Sequence, residues 1–278
     1  MIQEDLIKRI TSSLSDDKEI RGAWLSGSFG RGDEDEFSDV DVVALVEDGK
    51  AVQKFDEYAS KVSNISPILY QKTLPPSQTV NVITPNWLRF DITFVEKDKL
   101  FKMSKDELRT LFDKDDLFKE LSDSKDVSKQ PPPNPADIVA TSNEFLRVLG
   151  LMPVAIKRGE HVVGQSGSQL LHSMLVRVMV AENAPQPIRG ALSLSKSLTN
   201  EQLSRLESLP PISADPAAIM TANKAIAEEF LPRARAIVDK SSEKWPEEFE
   251  SQTLAHLKSS LNLEVEIPQQ KKTPSIEK

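Results

Sequence analysis

A cluster of prolines near the middle of the chain, in the segment DSKDVSKQPPPNPAD (residues 123–137), separates two halves with different patterns. Before it, short apolar runs alternate with polar turns, as strands do. After it, strand patterns almost vanish and apolar residues recur with helical spacing. Because a polar, proline-rich segment is stiff and has no periodicity, it indicates a linker. The 278 residues are enough for two domains of ordinary size.

The first half predicts a mixed sheet flanked by helices. Amphipathic helices are expected at residues 2–14 and 51–62, where apolar side chains line one face. Helical fragments are expected from the last strand to about Leu121. The strand-like runs are, in order, GAWLSGS, DVDVVALVED, SPILYQ, TVNVIT and WLRFDITFVEK.

The second half predicts a helical bundle. Asn134 has the side chain of an N-cap and Pro135 suits the first helical position, so a helix should begin here and run to about Arg158, kinked near Pro153. The stretch GQSGS (164–168) is interpreted as a loop whose last serine caps the next helix. Further helices are expected at residues 168–182, 199–208, 214–241 and 246–261.

The expected fold class is therefore α+β, with a sheet domain at residues 1–125, a helical domain at 135–262 and a disordered tail at 263–278.

Composition narrows the classes of partner. A net charge of −8 disfavours a long nucleic acid and suits a cationic small molecule. The chain has no cysteine, which excludes disulfides and thiolate metal sites. No apolar run reaches the roughly 18 residues of a membrane span, and the start MIQEDLIKRI lacks the order of a signal peptide. A cytoplasmic protein without a membrane partner is expected.

Two aspartates stand one residue apart at the second predicted strand, within GSFGRGDEDEFSDVDVV (27–43). Because side chains alternate faces along a strand, Asp39 and Asp41 project to one side while Val40 and Val42 point into the core. Two carboxylates this close repel each other unless a cation lies between them. In phosphoryl transfer, two Mg²⁺ ions about 3.5–4 Å apart commonly fill this role.

A third carboxylate comes from WLRFDITFV, where Asp91 interrupts an apolar alternation and must face water, a partner or a metal. The alternative is that Asp39 and Asp41 are solvated acids in a turn that enters a strand. The neighbouring acids, residues 33–36, are interpreted as a flexible, solvated loop.

Gly27 and Ser28 predict a phosphate-binding turn. A glycine lets the backbone approach a ligand closely, and the serine adds a hydroxyl to the exposed amides. If residues 29–32 open as a helical turn, their free N–H groups would face the phosphates of a nucleotide. Arg31 is close enough in sequence to add a positive charge, although an exposed arginine without a role is equally consistent with the pattern.

The order Gly-Ser, ten intervening residues, Asp-x-Asp and a later strand aspartate resembles the nucleotidyltransferase superfamily of the DNA polymerase β type. The run GSFGRGDEDEFSDVDVV is similar to the version in antibiotic nucleotidyltransferases. In the second half, AIKRGEHVVGQSGSQLLHSMLVRVM resembles the KRGE helix segment of the lincosamide nucleotidyltransferases. The resemblance implies a catalytic sheet domain followed by a helical substrate-binding domain.

The resemblance also implies an activity and a set of roles. A nucleoside monophosphate, with AMP expected, would move from ATP or another NTP to a hydroxyl, with two Mg²⁺ ions present. Gly27 and Ser28 would hold the triphosphate, and Asp39 and Asp41 would bind metal. Asp91 would bind the second metal or take the proton of the acceptor hydroxyl.

Two residues of the second half are further candidates. Lys157 is expected to contact the phosphates across a cleft between the domains, or else to be a basic helix C-terminus. Glu160 is the alternative general base to Asp91.

The acceptor is left open by the sequence. A small-molecule antibiotic of the lincosamide type is the first expectation, which would make the protein a resistance enzyme, and an aminoglycoside is the second. Other hypotheses are a transferase that modifies protein or RNA, as in toxin–antitoxin systems, and an inactive nucleotide-binding regulator. Relatives of this type are often dimers, so a homodimer is also considered.

Overall fold

The computed structural model describes residues 2–123, 129–187 and 191–267. The chain divides into two units, Met1–Lys129 and Gln130–Lys278. The strands are β1 (Ile20–Leu25), β2 (Val40–Val46), β3 (Tyr70–Leu74), β4 (Thr79–Ile83), β5 (Arg89–Val95), β6 (Arg109–Asp113), β7 (Lys129–Gln130) and β8 (Gln186–Pro187).

The α-helices are α1 (Ile2–Ser15), α2 (Gly27–Arg31), α3 (Ala51–Lys61), α4 (Lys97–Leu100), α5 (Pro135–Gly150), α6 (Met152–Lys157), α7 (His161–Glu182), α8 (Asn200–Glu207), α9 (Pro216–Val238) and α10 (Glu247–Leu261). Short 3₁₀ helices lie at Val62–Asn64, Pro75–Ser77, Lys105–Glu107, Leu117–Glu120 and Ala191–Ser197.

A six-stranded sheet in the order β3-β4-β5-β2-β1-β6 forms the centre of the first unit. Only β2 and β5 pair in parallel; the other neighbours in this sheet are antiparallel. The mixed sheet and the helical second half confirm the predicted α+β class. The short strands β7 and β8 form a separate two-stranded sheet.

The edge strand β6 replaces part of the helical fragments that the sequence predicted before Leu121. Its residues RTLFD are exposed or half-buried throughout, so the strand has no apolar face to reveal it. It forms because it pairs with β1, which is a tertiary interaction that the local sequence does not encode.

Both faces of the sheet are covered. On one face, alternate residues of β2 and β5 pack with α1 and α3; this core includes Val40, Val42, Ala44, Phe90, Ile92, Phe94, Leu6, Ile10, Phe55 and Tyr58. On the opposite face, Val43, Leu45 and Val95 pack under Leu100, Leu108 and Leu117. Because β2 is buried on both sides over most of its length, its sequence is almost continuously apolar after Asp41.

The second unit is a helical bundle with a core between α5, α7 and α9. Phe145 and Phe230 stack there with ring centroids 3.8 Å apart and an interplanar angle of 1°. Asn134 is the predicted N-cap of α5, and its Oδ1 accepts a hydrogen bond from the Ala136 N–H at 3.2 Å.

Three expectations for this unit need correction. The helix expected to reach Arg158 is two helices, α5 and α6, which meet at Leu151, because Pro153 near the start of α6 has no N–H to continue the first. The stretch GQSGS (164–168) lies inside α7 and is not a loop, since packing of Gly164 and Ser168 outweighs their weak helix propensity.

The third correction concerns the predicted disordered tail, 263–278. Leu263, Val265 and Ile267 pack against the helical core, and the Glu266 N–H donates to Glu228 Oε1 at 2.9 Å. The remainder of that tail, 268–278, and residues 124–128 of the predicted linker lie outside the described residues.

One stretch of the described chain, Pro135–Lys157, is long and apolar enough to cross a membrane by length and composition alone. Its most apolar window is 44% buried inside the protein. Phe145, Leu146 and Leu149 are fully buried in the bundle, which accounts for the apolar character of the stretch.

Lys54 in α3 is buried and surrounded by three carboxylates. Only 3% of the residue is exposed, and its Nζ lies 2.7 Å from Asp17 Oδ2, 2.7 Å from Glu19 Oε2 and 2.9 Å from Glu57 Oε2. Burial works against the charged form, but the hydrogen bonds to these carboxylates outweigh it and raise the pKa of Lys54. The ammonium group therefore joins α3 to the segment between α1 and β1.

We expect Lys54→Met to lower the free energy of unfolding by about 2 kcal/mol, because it leaves three carboxylates without their shared cation. The figure is below the roughly 3–5 kcal/mol of a fully buried pair, since Glu19 and Glu57 are more than a third exposed. Lys50→Met is the matched control, because Lys50 is 37% exposed and has Glu19 at 3.4 Å. Urea unfolding followed by circular dichroism checks this, and equal losses in both variants would contradict it.

Candidate active site

Three polar side chains form a row across neighbouring strands of the sheet. Asp41 on β2 pairs in register with Asp91 on β5, and Asp91 pairs with Asn81 on β4. Because paired residues on adjacent strands face the same side, the three side chains lie next to one another. Asn81 Nδ2 donates to Asp91 Oδ1 at 2.6 Å, which fixes the orientation of that carboxylate.

The carboxylates of Asp39, Asp41 and Asp91 act on one another electrostatically. Burial, together with the negative charges of Asp39 and Asp91, raises the pKa of Asp41 to about 6, although Arg31 and Arg89 work in the opposite direction. Burial also raises the pKa of Asp91. The hydrogen bond from Asn81 lowers this pKa, and the charge of Asp39 raises it. The three aspartates are therefore near enough for the charge of one to disfavour the charge of another.

The donor set of this site suits a hard divalent cation such as Mg²⁺, because it consists of carboxylate oxygens whose charges repel one another. Within residues 2–123, 129–187 and 191–267, no three His, Asp or Glu side chains are grouped closely enough to hold an ion by themselves.

Gly27 brings the backbone directly against Asp41. It has a positive φ of 60°, and a Cβ atom at this position would come within 2.1 Å of Asp41 Oδ2. The Ser26 N–H also donates to the Asp41 carbonyl oxygen at 2.9 Å. The α2 turn begins at Gly27, two residues before the predicted turn at 29–32, so Gly27 and Ser28 are its first residues. Their N–H groups precede any intrahelical acceptor.

The acidic loop before β2, predicted to be flexible and solvated, has Asp35 and Glu36 exposed, while Asp33 and Glu34 are half-buried. Arg109 Nη1 donates to Glu34 Oε1 at 3.1 Å, and Arg31 Nε lies 3.4 Å from Asp33 Oδ1. Asp35 Oδ1 accepts a hydrogen bond from the Phe37 N–H at 3.0 Å. These contacts set the path of the chain into Asp39.

Arg31 lies at the end of α2 and lowers the pKa of Asp41, so the structure brings it to the aspartates. Arg89 does the same for Asp41 and Asp91, and its Nη2 donates to the Phe37 carbonyl at 3.0 Å. The sequence indicated no role for Arg89 or Asn81. The signal was present, because each interrupts an apolar alternation on a strand in the same way as Asp91.

Lys157 and Glu160 belong to the second unit. Lys157 is the last residue of α6 and Glu160 directly precedes α7, and both are exposed. Their predicted contacts with phosphates and with the acceptor stay predictions.

A sequence model of the streptomycin adenylyltransferase family matches residues 2–259, which is most of the chain. The chain belongs to this family. Membership confirms the resemblance to the antibiotic nucleotidyltransferases and makes the protein a nucleotidyltransferase.

Three further proteins are similar to this chain. An inferred protein adenylyltransferase of Methanocaldococcus jannaschii is 44% identical over 78 residues, which is 25% of this chain and 78% of the relative. An aminoglycoside 6-adenyltransferase of Bacillus subtilis is 16% identical, with a TM-score of 0.43 over 91% of this chain and 95% of that one. The CCA-adding enzyme of Thermotoga maritima, complexed with tRNA, is 14% identical, with a TM-score of 0.33 over 91% and 68%.

Because Gly27 approaches Asp41 closely, we expect Gly27→Ala and Gly32→Ala to differ in their effect on ATP binding. Gly32 has a φ of 73°, but a Cβ there would meet nothing within 4 Å. We expect Gly27→Ala and Gly32→Ala each to cost about 1–2 kcal/mol of stability from the left-handed backbone. Only Gly27→Ala should also weaken binding of Mg²⁺–ATP, by about tenfold or more, because the Asp41 carboxylate must rotate away.

Isothermal titration calorimetry with ATP and Mg²⁺ measures this difference, with urea unfolding as the stability control. Equal ATP affinity in the two variants would show that the contact between Gly27 and Asp41 has no part in the site.

Proposed function

We propose that the protein transfers AMP from ATP to a hydroxyl group of a small cationic antibiotic, with Mg²⁺, and releases pyrophosphate. The observation that carries this proposal is the register that sets Asp41 beside Asp91, with the Gly27 turn against Asp41. Family membership supports the adenylyl group and the reaction class.

The residues of the first unit are proposed to bind the triphosphate and the metal. Gly27 and Ser28 bind the triphosphate through the first N–H groups of α2, and Arg31 and Arg89 place positive charge beside the aspartates. Asp39 and Asp41 are the proposed ligands of Mg²⁺. When bound, Mg²⁺ neutralises phosphate charge and lowers the pKa of a coordinated hydroxyl.

Asp91 is the proposed acceptor of the proton from the substrate hydroxyl, because it lies beside Asp41 and burial raises its pKa, while Asn81 donates to only one of its oxygens. A free hydroxyl is a poor nucleophile at neutral pH, so loss of this proton assists its attack on the α-phosphorus. Lys157 and Glu160 are proposed to contact phosphates and acceptor from the second unit.

An aminoglycoside is now the favoured acceptor over a lincosamide. The family is named for transfer to streptomycin, while the lincosamide expectation depends on the short KRGE segment. The net charge of −8 suits a cationic acceptor of either type. The predicted role in antibiotic resistance depends on this proposal.

A protein hydroxyl is the second candidate acceptor. It is favoured by the 44% identity to the inferred protein adenylyltransferase of M. jannaschii. An inactive regulator is disfavoured, because the chain has all three aspartates of the proposed site and their charges act on one another.

The acceptor is tested by incubation with ATP labelled at the α-phosphate, Mg²⁺ and separate acceptors: streptomycin and other aminoglycosides, lincomycin, tRNA and a bacterial lysate. We expect label on an aminoglycoside. Label on protein alone would move the assignment to the second candidate, and label on nothing, with ATP bound, would favour the regulator.

We expect Asp39→Asn and Asp41→Asn each to lower the rate of transfer more than about 100-fold, because each removes a charge that holds the cation against the phosphates. Asp48→Asn is the control, since Asp48 is an exposed acid in the turn after β2. Initial rates at saturating ATP measure the effect. Near-normal transfer by either site variant would disprove the metal assignment.

The base is identified by comparing Asp91→Asn with Glu160→Gln. A general base contributes about 10²–10⁴-fold to the rate, so we expect a loss in this range for Asp91→Asn and a smaller loss for Glu160→Gln. Single-turnover rates with preloaded ATP separate this step from binding. The reverse order of losses would assign the base to Glu160.

A further inference from the structure

Four exposed apolar side chains lie at one end of the six-stranded sheet. Phe37 precedes β2, Leu69 and Tyr70 stand at the start of β3, and Trp87 precedes β5. The strands β2 and β5 are parallel, and β4, which is antiparallel to both β3 and β5, ends where those two strands begin. Among the described residues of the first unit, four of the five exposed large apolar side chains are therefore grouped at this end. Grouped apolar side chains, unlike scattered ones, indicate a binding surface.

Trp87 occupies a backbone position that usually belongs to glycine. It is the last residue of the three-residue loop between Thr84 and Leu88, and its φ is 61°. Hairpin loops of this length commonly have glycine here, because a bulky side chain is strained in the left-handed region. Trp87 is 70% exposed, so packing does not offset the strain. A strained residue with little packing of its own points to a role in binding.

Phe37 lies on a loop whose backbone is held by hydrogen bonds. Its N–H donates to Asp35 Oδ1 at 3.0 Å, and its carbonyl oxygen accepts from Arg89 Nη2 at 3.0 Å. The neighbouring carbonyl of Glu36 accepts from Gln3 Nε2 at 2.9 Å. Phe37 itself is 77% exposed. A ligand that packs on this ring does not have to order the loop, which favours its binding.

Both aromatic residues are close to the aspartates along the chain. Phe37 stands two residues before Asp39, which is about 7 Å at most along an extended chain. Trp87 stands four residues before Asp91, which is about 13 Å at most. An acceptor of two or three linked rings can bridge these distances.

The order of the strands places Trp87 on the acceptor side of the aspartates. The strand β1, which leads into Gly27, and the strand β5, which follows Trp87, lie on opposite sides of β2. In an in-line transfer, the attacking oxygen and the leaving pyrophosphate are on opposite sides of the α-phosphorus. Because the triphosphate is proposed to bind at Gly27, the acceptor approaches from the side of Trp87.

The surroundings of the two rings favour a positively charged ligand. Asp35 and Glu36, next to Phe37, are exposed acids, and they attract cations. A cation above the face of an aromatic ring is attracted by the ring electrons, most strongly in tryptophan. Negative charge and aromatic faces therefore select for the same class of ligand.

We propose that Trp87, together with Phe37, binds the acceptor through contact of the aromatic rings with a cationic group on a molecule of several rings. The two residues would then determine specificity for a cationic acceptor over a neutral or anionic one. This inference rests on the proposed adenylyl transfer and names two specificity-determining residues of that site.

Streptomycin is the probe, and acrylamide quenching of tryptophan fluorescence in the full-length protein is the measurement. Of the three tryptophans, Trp24 and Trp245 are only 0% and 7% exposed, so quenching reports on Trp87. We expect streptomycin to reduce the quenching, with or without Mg²⁺ and a non-hydrolysable ATP analogue. The analogue with Mg²⁺ alone should leave the quenching unchanged. No transfer takes place in this experiment, so its result does not depend on turnover.

Substitutions of Trp87 separate binding from stability. Trp87→Gly should unfold at a higher temperature, because glycine relieves the strain. It should also raise the Kd of streptomycin by about tenfold, which corresponds to the loss of a cation–π contact, and leave the Kd of Mg²⁺–ATP unchanged. Trp87→Phe should keep most of the affinity for streptomycin, whereas Trp87→Leu, which is apolar without an aromatic face, should lose it as Trp87→Gly does. Phe37→Ala should weaken streptomycin binding alone.

Asp116→Gly is the matched control. Asp116 has a φ of 58°, is exposed and follows β6 at the opposite end of the sheet, where Asp113 pairs with Gly22. This variant should bind streptomycin and Mg²⁺–ATP as the wild type does. Isothermal titration calorimetry gives each Kd, and thermal unfolding gives the stability.

The proposal is overturned if Trp87→Gly binds streptomycin as tightly as the wild type, or if it loses affinity for streptomycin and Mg²⁺–ATP equally. It is also overturned if the ATP analogue alone protects Trp87 from acrylamide, or if the wild type binds no aminoglycoside. Failure of the proposed function gives a different result. Streptomycin would then still bind and protect Trp87, which supports this contact, while no AMP label reached it.

Discussion

The parallel pairing of β2 with β5 is the constraint on which the site depends. Its register sets Asp41 opposite Asp91, and the antiparallel pairing of β5 with β4 adds Asn81 to the same row. A shift of one residue would turn each aspartate into the core and expose Val40, Val42 and Phe90. The apolar cores on the two faces of the sheet therefore fix this register and, with it, the positions of the carboxylates.

The same arrangement places like charges together in a half-buried environment. Burial and the neighbouring acids raise the pKa of Asp41 to about 6. The fold therefore holds this carboxylate in a position that destabilises its ionised form. Arg31 and Arg89 offset this cost in part. In the proposed function, a bound cation would relieve this repulsion and a triphosphate would accept from the first N–H groups of α2.

Part of the candidate site could be predicted from the sequence, because the alternation of strand side chains puts Asp39 and Asp41 on one face and shows that Asp91 does not belong to the apolar face of its strand. Arg89 and Asn81 were present in the same alternation, but they come next to the aspartates only through the order of the strands, which is a tertiary property. The edge strand β6 and the helical GQSGS stretch were mispredicted for a related reason. Pairing with β1 and packing within the bundle outweigh their local propensities.

The most direct test is a crystal structure with Mn²⁺ and a non-hydrolysable ATP analogue, in which anomalous scattering locates the metal. The account predicts a Mn²⁺ peak in direct contact with carboxylate oxygens of Asp39 and Asp41, with the triphosphate against Gly27 and Ser28. A nucleotide bound elsewhere, or a metal with no contact to either aspartate, would contradict it.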